Sequence, residues 1–330
     1  MISKQVTVAV TLLAVILMAD MAACEEGMWP HYDVHKISFE DFQSSGLELT
    51  PQDIYDPAGS GLYRAVVRLG ATGSFVSNQG LIVTNHHVAY GAVQKQSTAV
   101  RNLVRDGFYA ATKEEEIPAI GYSAWVTLAT EDVTDRVLAS VTGQMDDLQR
   151  YQAIDQAIKE VVGEAEAKGD VKCKVAKMFG GQQFILYTQF KIRDVRIVYV
   201  PPIAIGEYGG DIDNWMWPRH TGDFSFLRAY VGPDGSSAEY ATENVPYQPE
   251  VFLPIAKSGV KEGDFAMIIG FPGKTSRYAC SFYIEDLINF SHPSRIALYR
   301  DMLDIINEVS GDDPEIAIQL DNVPFHQLAG

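Results

Sequence analysis

"GSFVSNQGLIVTNHHVAYGAV", residues 73–93, sets two short strand-like runs around a turn and follows them at once with adjacent histidines. In "GSFVS" and "LIVT" the flanks are filled by Val, Ile and Phe, and Gly80 closes "NQG" where a three-residue hairpin loop requires a left-handed residue. The stretch therefore reads as a buried β-hairpin. Adjacent residues on an extended segment point to opposite faces, so His86 and His87 address different points, which argues against a metal pair.

Outward from the hairpin, the pattern alternates between strand-like and helical texture. "LYRAVVRLG" precedes it as a further strand. From Asn102 to about Gly169, "ATEDVTDRVLASV" and "DDLQRYQAIDQAIKEVVGEAEAKG" place apolar residues at helical intervals among many charges, a helical insertion near 110–170. Strands return in "VKCKVAKMF", "QFILYTQFKIRDVRIVYVPP", "DFSFLRAYVG" and "FAMIIGFPG". Past Thr275 the chain reads as helix: "YIEDLINF" stops near His292-Pro293, and "PSRIALYRDMLDIINEVSG" follows with Gly311 at its close. The fold class is mainly β with helical insertions.

The totals fit one large domain or two ordinary ones: 330 residues, 47% hydrophobic, without repeats or low-complexity tracts. Forty-three acidic against 26 basic residues leave a net charge of −17, a field that repels phosphate backbones and anionic lipid, so nucleic acid is excluded as a natural partner. No glycine-rich loop fits a nucleotide phosphate, and no cofactor is expected. After Lys4, the run "VTVAVTLLAVILMA" and then "DMAAC" match a secretory signal over residues 1–23, too short for the ~20 residues of a membrane span. The protein is expected to be exported. Cleavage after Ala22 or Ala23 is preferred; "MAAC" also resembles a lipobox, which would lipidate Cys24. Cys173 and Cys280 either pair in an oxidising compartment or stay as two free thiols. His31 and His35 have i,i+4 spacing, but without helical periodicity around them they read as surface histidines rather than metal ligands.

The second informative stretch is "GEYGGDIDNWMWPRHTGDFSFLRAY", residues 206–230. A loop so dense in Gly, Trp, Pro, Arg, His and Asp is costly to order without a packing or binding purpose. Asp211, Asp213 and Asp223 could each be the carboxylate that orients a histidine, and Asp223, at the head of the alternating strand "FSFLRAY", has the best-anchored backbone. Turn formation is the competing role for the others. Packing at the end of a barrel competes with ligand contact for Trp215 and Trp217. Trypsin-like β-barrels carry a histidine in a "T-x-x-H" context just after a strand, and by that template Thr84 to His87 makes His87 the base and leaves His86 to support the turn. A serine hydroxyl needs such a base, and the base needs a carboxylate to fix its tautomer.

Together, "EEGMWP", "GSFVSNQGLIVTNHHVAYGAVQ", "GFYAATKEEEIP", "FGGQQFILYTQFKIRDVRIVYVPP", "GGDIDNWMWPRHTGDFSFLRAYVG" and "FPGKTSRY" run in order from Glu25 to Tyr278. In these the chain resembles the N-terminal half of the exported bacterial serine dipeptidyl peptidases of the dipeptidyl-peptidase 7 and 11 type. The resemblance implies a chymotrypsin-like double β-barrel, incomplete here, followed by the start of an α-helical cap domain. The boundaries are 24–275 for the catalytic part and 276–330 for the cap. It implies release of dipeptides from the free N-terminus of oligopeptides by a homodimer in the periplasm or at the cell surface. Carried over, His87 is the general base and Asp223 its orienting carboxylate; Asn214 and Trp215 bind the substrate amine and backbone, with Arg219 in support.

The family's nucleophilic serine lies in a "GNSGSP"-like motif, and neither "AGSG" at Ser60, "TGSF" at Ser74 nor "VSG" at Ser310 has that pattern. The 330 residues alone are therefore expected to be inactive, and the determinants of side-chain preference are expected in the absent half. Two other readings stand beside the exopeptidase. One is a trypsin-like exported endopeptidase, which the helical stretch and the "DIDNWMWPRHTGD" block fit poorly. The other is a non-catalytic peptide-binding module, if the chain ends at Gly330.

Overall fold

The computed structural model describes residues 28–44, 46–214, 216–273 and 279–320. The expected signal segment, Cys24 and Trp215 lie outside them. Among the described residues eleven strands form one antiparallel sheet: β1 Val66–Arg68, β2 Thr72–Phe75, β3 Leu81–Thr84, β4 Phe108–Tyr109, β5 Ile117–Pro118, β6 Ala124–Asp132, β7 Lys172–Met178, β8 Gln183–Ile192, β9 Asp194–Val200, β10 Ser225–Val231 and β11 Val245–Pro246. The order is β4-β9-β10-β3-β2-β1-β6-β8-β7, with β11 beside β10 and β5 beside β9.

The hairpin expected at residues 73–84 is β2–β3, paired Gly73 with Thr84 and Phe75 with Ile82. Gly80 takes φ 67°, and a Cβ there would lie 2.7 Å from the carbonyl of Ala229. Glycine is therefore needed both for the turn and for the close approach of β10. Phe75 and Ile82 are fully buried, and they share one core with Val67 of β1, Ile192 of β8, Ile197 of β9 and Leu227 of β10. Because strands from both ends of the order meet in that core, the sheet must curl around it, as twisted sheets of this size do.

The helices lie on this frame. α1, His86–Lys95, drops Ala89, Tyr90, Ala92 and Val93 into the same core. α2, Thr134–Leu138, and α3, Asp147–Glu166, pack Val137 and Val161 against Phe184 and Leu186 of β8. α3 opens with a capping box between Asp146 and Gln149, which satisfies two of the amides a helix start leaves unpaired. Beneath the other side of β8, Tyr32, Val34, Tyr55 and Tyr63 gather on Ile185.

Three segments differ from the sequence reading. Residues 129–132 of "ATEDVTDRVLASV" extend β6, and the helix begins only at Thr134, because the ladder with β8 reaches Asp132 opposite Ile185. "FAMIIGFPG" forms no strand. Its backbone is tied instead to a side chain, Phe271 N–H donating to Thr72 Oγ1 at 2.8 Å. The helix expected to stop near His292 runs on: α4, Ser281–Asp286, passes through a π-turn over Leu287–Ser291 into α5, His292–Ser310. Pro293 lacks an N–H and clashes with a normal preceding turn, and the wider turn before it accommodates both defects. α5 ends at Gly311, as expected, and α6, Pro314–Leu320, follows.

Candidate active site

β10 pairs with β3 in the register Ser225 to Thr84 and Phe226 to Val83. Continued two steps past both strand ends, that antiparallel register brings Asp223 alongside the His86–His87 pair, 136 residues from His87 in sequence. There β3 turns into α1 at Asn85, whose extended backbone makes it the N-cap. Adjacent helical positions are separated by about 100° rather than 180°, so the two histidines diverge for a different reason than extended geometry would give. His86 is buried, 1% exposed, whereas the His87 side chain is half exposed.

Asp223 meets α1 through both carboxylate oxygens. His87 Nδ1 lies 2.9 Å from Oδ2, and the His87 backbone N–H donates to Oδ1 at 3.1 Å. Asn85 Nδ2 donates to Oδ2 at 3.0 Å and to the Asp223 carbonyl at 3.3 Å. The arrangement inverts ordinary capping: the N-cap side chain, which usually accepts from the first turn, here donates to Asp223, and Asp223 accepts in its place. A carboxylate at a helix N-terminus is further favoured by the helix dipole. Burial acts to raise the Asp223 carboxyl pKa, but the hydrogen bonds from the His87 ring and backbone, the His87 charge and the Asn85 amide outweigh it and hold the group below the usual carboxylate range. With Asp223 ionised, Nδ1 must carry the proton, which fixes the imidazole tautomer.

The loop that ends at Asp223 is closed over His86. A Cβ on Gly206 would lie 2.4 Å from His86 Cγ, so only glycine lets the loop reach the ring, which also stands edge-on to Tyr90 at 5.9 Å. At the loop's base Gly222 N–H donates to the Ile205 carbonyl at 2.9 Å. Asp213 holds the interior: its Oδ2 accepts from Thr221 Oγ1 at 2.7 Å and from the His220 N–H at 3.2 Å. Thr221 is the first cause of its lowered pKa. Of the carboxylates the sequence left open, Asp213 therefore braces the loop and Asp223 faces the histidine.

A family model, peptidase S46, matches residues 24–326. The chain belongs to the peptidase S46 family. It is 38% identical over 307 residues to the Asp/Glu-specific dipeptidyl-peptidase of Shewanella putrefaciens, covering 92% of this chain and 41% of that one. Dipeptidyl-peptidase 7 of Capnocytophaga gingivalis is 33% identical over 306 residues, 92% of this chain and 43% of its own. The crystal structure of Porphyromonas endodontalis DPP11 in complex with the dipeptide Arg-Asp superposes with a TM-score of 0.82 at 34% identity, over 90% of this chain and 44% of that one. The chain thus spans less than half the length of these relatives, and it shares their mainly antiparallel sheet with helices.

Within this S46 chain the structure joins His87 to Asp223 and sets Asn214 and Arg219 on the adjoining segment, Trp215 lying outside the described residues. Asn214 ends the short helix Gly210–Asn214, and Arg219 is exposed beyond it. Trp217 is 90% exposed, so packing in a barrel end does not describe it. His31 corrects the sequence reading: it is not a surface histidine but stacks on Tyr63 at 5.1 Å with its Nε2 enclosed, while His35 is exposed. Its neighbours Tyr32, Tyr55 and Tyr187 close an aromatic cage that the local sequence does not announce. Cys173 and Cys280 are free thiols. Asn85 and Gly206 are the contributors missed from sequence. Asn ahead of "HHVAYGAV" is a helix-start signal that would have flagged the first; nothing local marks the second.

Proposed function

We propose that the intact protein is a serine-type dipeptidyl aminopeptidase that releases dipeptides from the free N-terminus of oligopeptides. The observation that carries this reading is the Asp223–His87 pair, with the ring held through Nδ1 at 2.9 Å on the rim of the sheet. The names of the relatives, dipeptidyl-peptidase 7 and Asp/Glu-specific dipeptidyl-peptidase, support the substrate class.

In this mechanism His87 acts through Nε2, since Nδ1 is engaged by the carboxylate. It takes the proton of a serine hydroxyl supplied by sequence outside these 330 residues as the oxygen attacks the second peptide bond. Asp223 stays ionised and stabilises the imidazolium; the proton then passes to the leaving amine, and water releases the dipeptide from the acyl-enzyme. Asn214, Trp215 and Arg219 are assigned to the substrate's ammonium and backbone. The reading extends to an incomplete chymotrypsin-like double barrel over 24–275, a helical cap beginning at 276, export to the periplasm or cell surface after loss of residues 1–23, and a homodimer. Among the described residues no helix is long and apolar enough to cross a membrane.

The test is cleavage of one oligopeptide, free and N-acetylated, by the intact protein and its His87→Ala variant. Dipeptide release from the free peptide alone, lost by a factor of at least about 10⁴ in the variant, is the expected result. Equal cleavage of both peptides would make the enzyme an endopeptidase, and an unaffected variant would remove His87 from the chemistry.

A further inference from the structure

α1 carries, besides His87, a polar residue with no part in that pair. Gln94 is 9% exposed, and burying an amide that deeply is unfavourable unless it is hydrogen-bonded. Its partners lie 224 and 225 residues away: Nε2 donates to the Ile318 carbonyl at 2.6 Å and to that of Gln319 at 3.3 Å. Those two carbonyls belong to the last turn of α6, where a helix has no acceptor-satisfying amides of its own. At the other end of α6 the Glu315 carboxylate accepts from the Ala99 N–H, just beyond α1, at 2.9 Å. The short helix is thus fastened at both ends, while Asp313 caps its start through the Glu315 amide at 2.9 Å.

Gln94 stands seven residues after His87, two helical turns, so both project from nearly the same face about 10 Å apart along the axis. The rod formed by α4, the π-turn and α5 has no buried residue. Ahead of it in the chain Phe271 is anchored on Thr72, and beyond it α6 returns to the helix that bears His87.

We infer that Gln94 is a positioning residue: with Glu315 it forms a latch that seats the helical arm, through α6, on the His87 face of α1. The inference rests on the peptidase reading only in its consequence, that a seated arm holds oligopeptide against the His87 rim.

Gln94→Met keeps the side chain's length but offers no donor to the two carbonyls. Glu315→Ala removes the second tie, and Glu315→Gln retains its accepting oxygen. Hydrogen–deuterium exchange on the intact protein should show α6 amides exchanging at least about fivefold faster in Gln94→Met and in Glu315→Ala, the loss of one net hydrogen bond. Glu315→Gln should match the parent, and β3 and β10 amides should keep parental rates in all three. Unchanged α6 exchange, or equal acceleration throughout the sheet, would overturn the latch. In the same protein Gln94→Met should raise KM for an unblocked oligopeptide about fivefold while kcat holds; a fall in kcat alone would overturn the positioning role. If His87→Ala releases dipeptides at the parental rate, the assignment of His87 as the base fails, and the exchange result continues to decide the latch.

Discussion

Replacing Asp223 by Asn exchanges one carboxylate oxygen for an NH₂ group and disturbs three hydrogen bonds. The carboxylate accepts from His87 Nδ1, the His87 N–H and the Asn85 amide. An amide has one accepting oxygen, so in either orientation its NH₂ is turned toward a donor. If the oxygen keeps the backbone N–H, the NH₂ faces Nδ1, which must then accept. The ring proton moves to Nε2, the nitrogen that has to receive the serine proton. In a serine-protease triad this wrong-tautomer state lowers kcat by about 10⁴, equivalent to about 5.4 kcal/mol in the activation barrier. If the oxygen instead keeps the ring, the His87 amide in the first turn of α1 loses its cap, at a cost to stability of about 0.5–2 kcal/mol. The assay is release of dipeptide from an unblocked oligopeptide by the intact protein, beside urea unfolding of the same preparation. A folded Asp223→Asn protein with less than tenfold loss of kcat would refute the assignment of Asp223 as the orienting carboxylate.

The remaining predictions concern the frame of the site. Gly206→Ala places a Cβ 2.4 Å from the His86 ring; overpacking of this kind should lower stability by about 1–3 kcal/mol, read from the urea midpoint. An unchanged midpoint would mean that the loop does not close on His86. Burial lowers the His31 pKa from 6.5 to about 4, so the unfolded chain takes up a proton that the folded chain refuses. Its contribution is complete above pH 6.5 and is lost as pH falls toward 4, amounting at most to about 3 kcal/mol at 1.36 kcal/mol per unit. His31→Phe, which keeps the stack on Tyr63, should flatten the unfolding free energy across that window; a profile identical to the parent would show that His31 does not carry it.

What the sequence disclosed and what it withheld divide along the distance over which each signal acts. The β2–β3 hairpin was legible because turn chemistry and alternation are local: Gly80 and the Phe75/Ile82 pair speak for themselves. The choice of Asp223 over Asp213 was open, since both sit in one loop with similar neighbours. It is decided by the β3–β10 register and by Thr221 consuming the Asp213 oxygen. α1 escaped notice because the apolar hairpin runs directly into it and because its cap is borrowed from another part of the chain. His31 was misjudged for the same reason: four tyrosines from three separate segments build its cage, and no window of sequence contains them.

The double use of Asp223 explains why the pair can form without a dedicated supporting shell. A buried carboxylate ordinarily drifts toward its neutral form, and an unpaired one at this depth would do so. Here the amide at the start of α1 and the Asn85 side chain stabilise the charge whether or not the imidazole is protonated, so the orienting group does not depend on the ring it orients. Since those same bonds hold α1 against β10, any substitution that neutralises Asp223 must weaken the helix start along with the base. Loss of activity and loss of stability should therefore rise together at Asp223, whereas at His87, whose ring contributes only one of the three bonds, activity should fall with the fold largely intact.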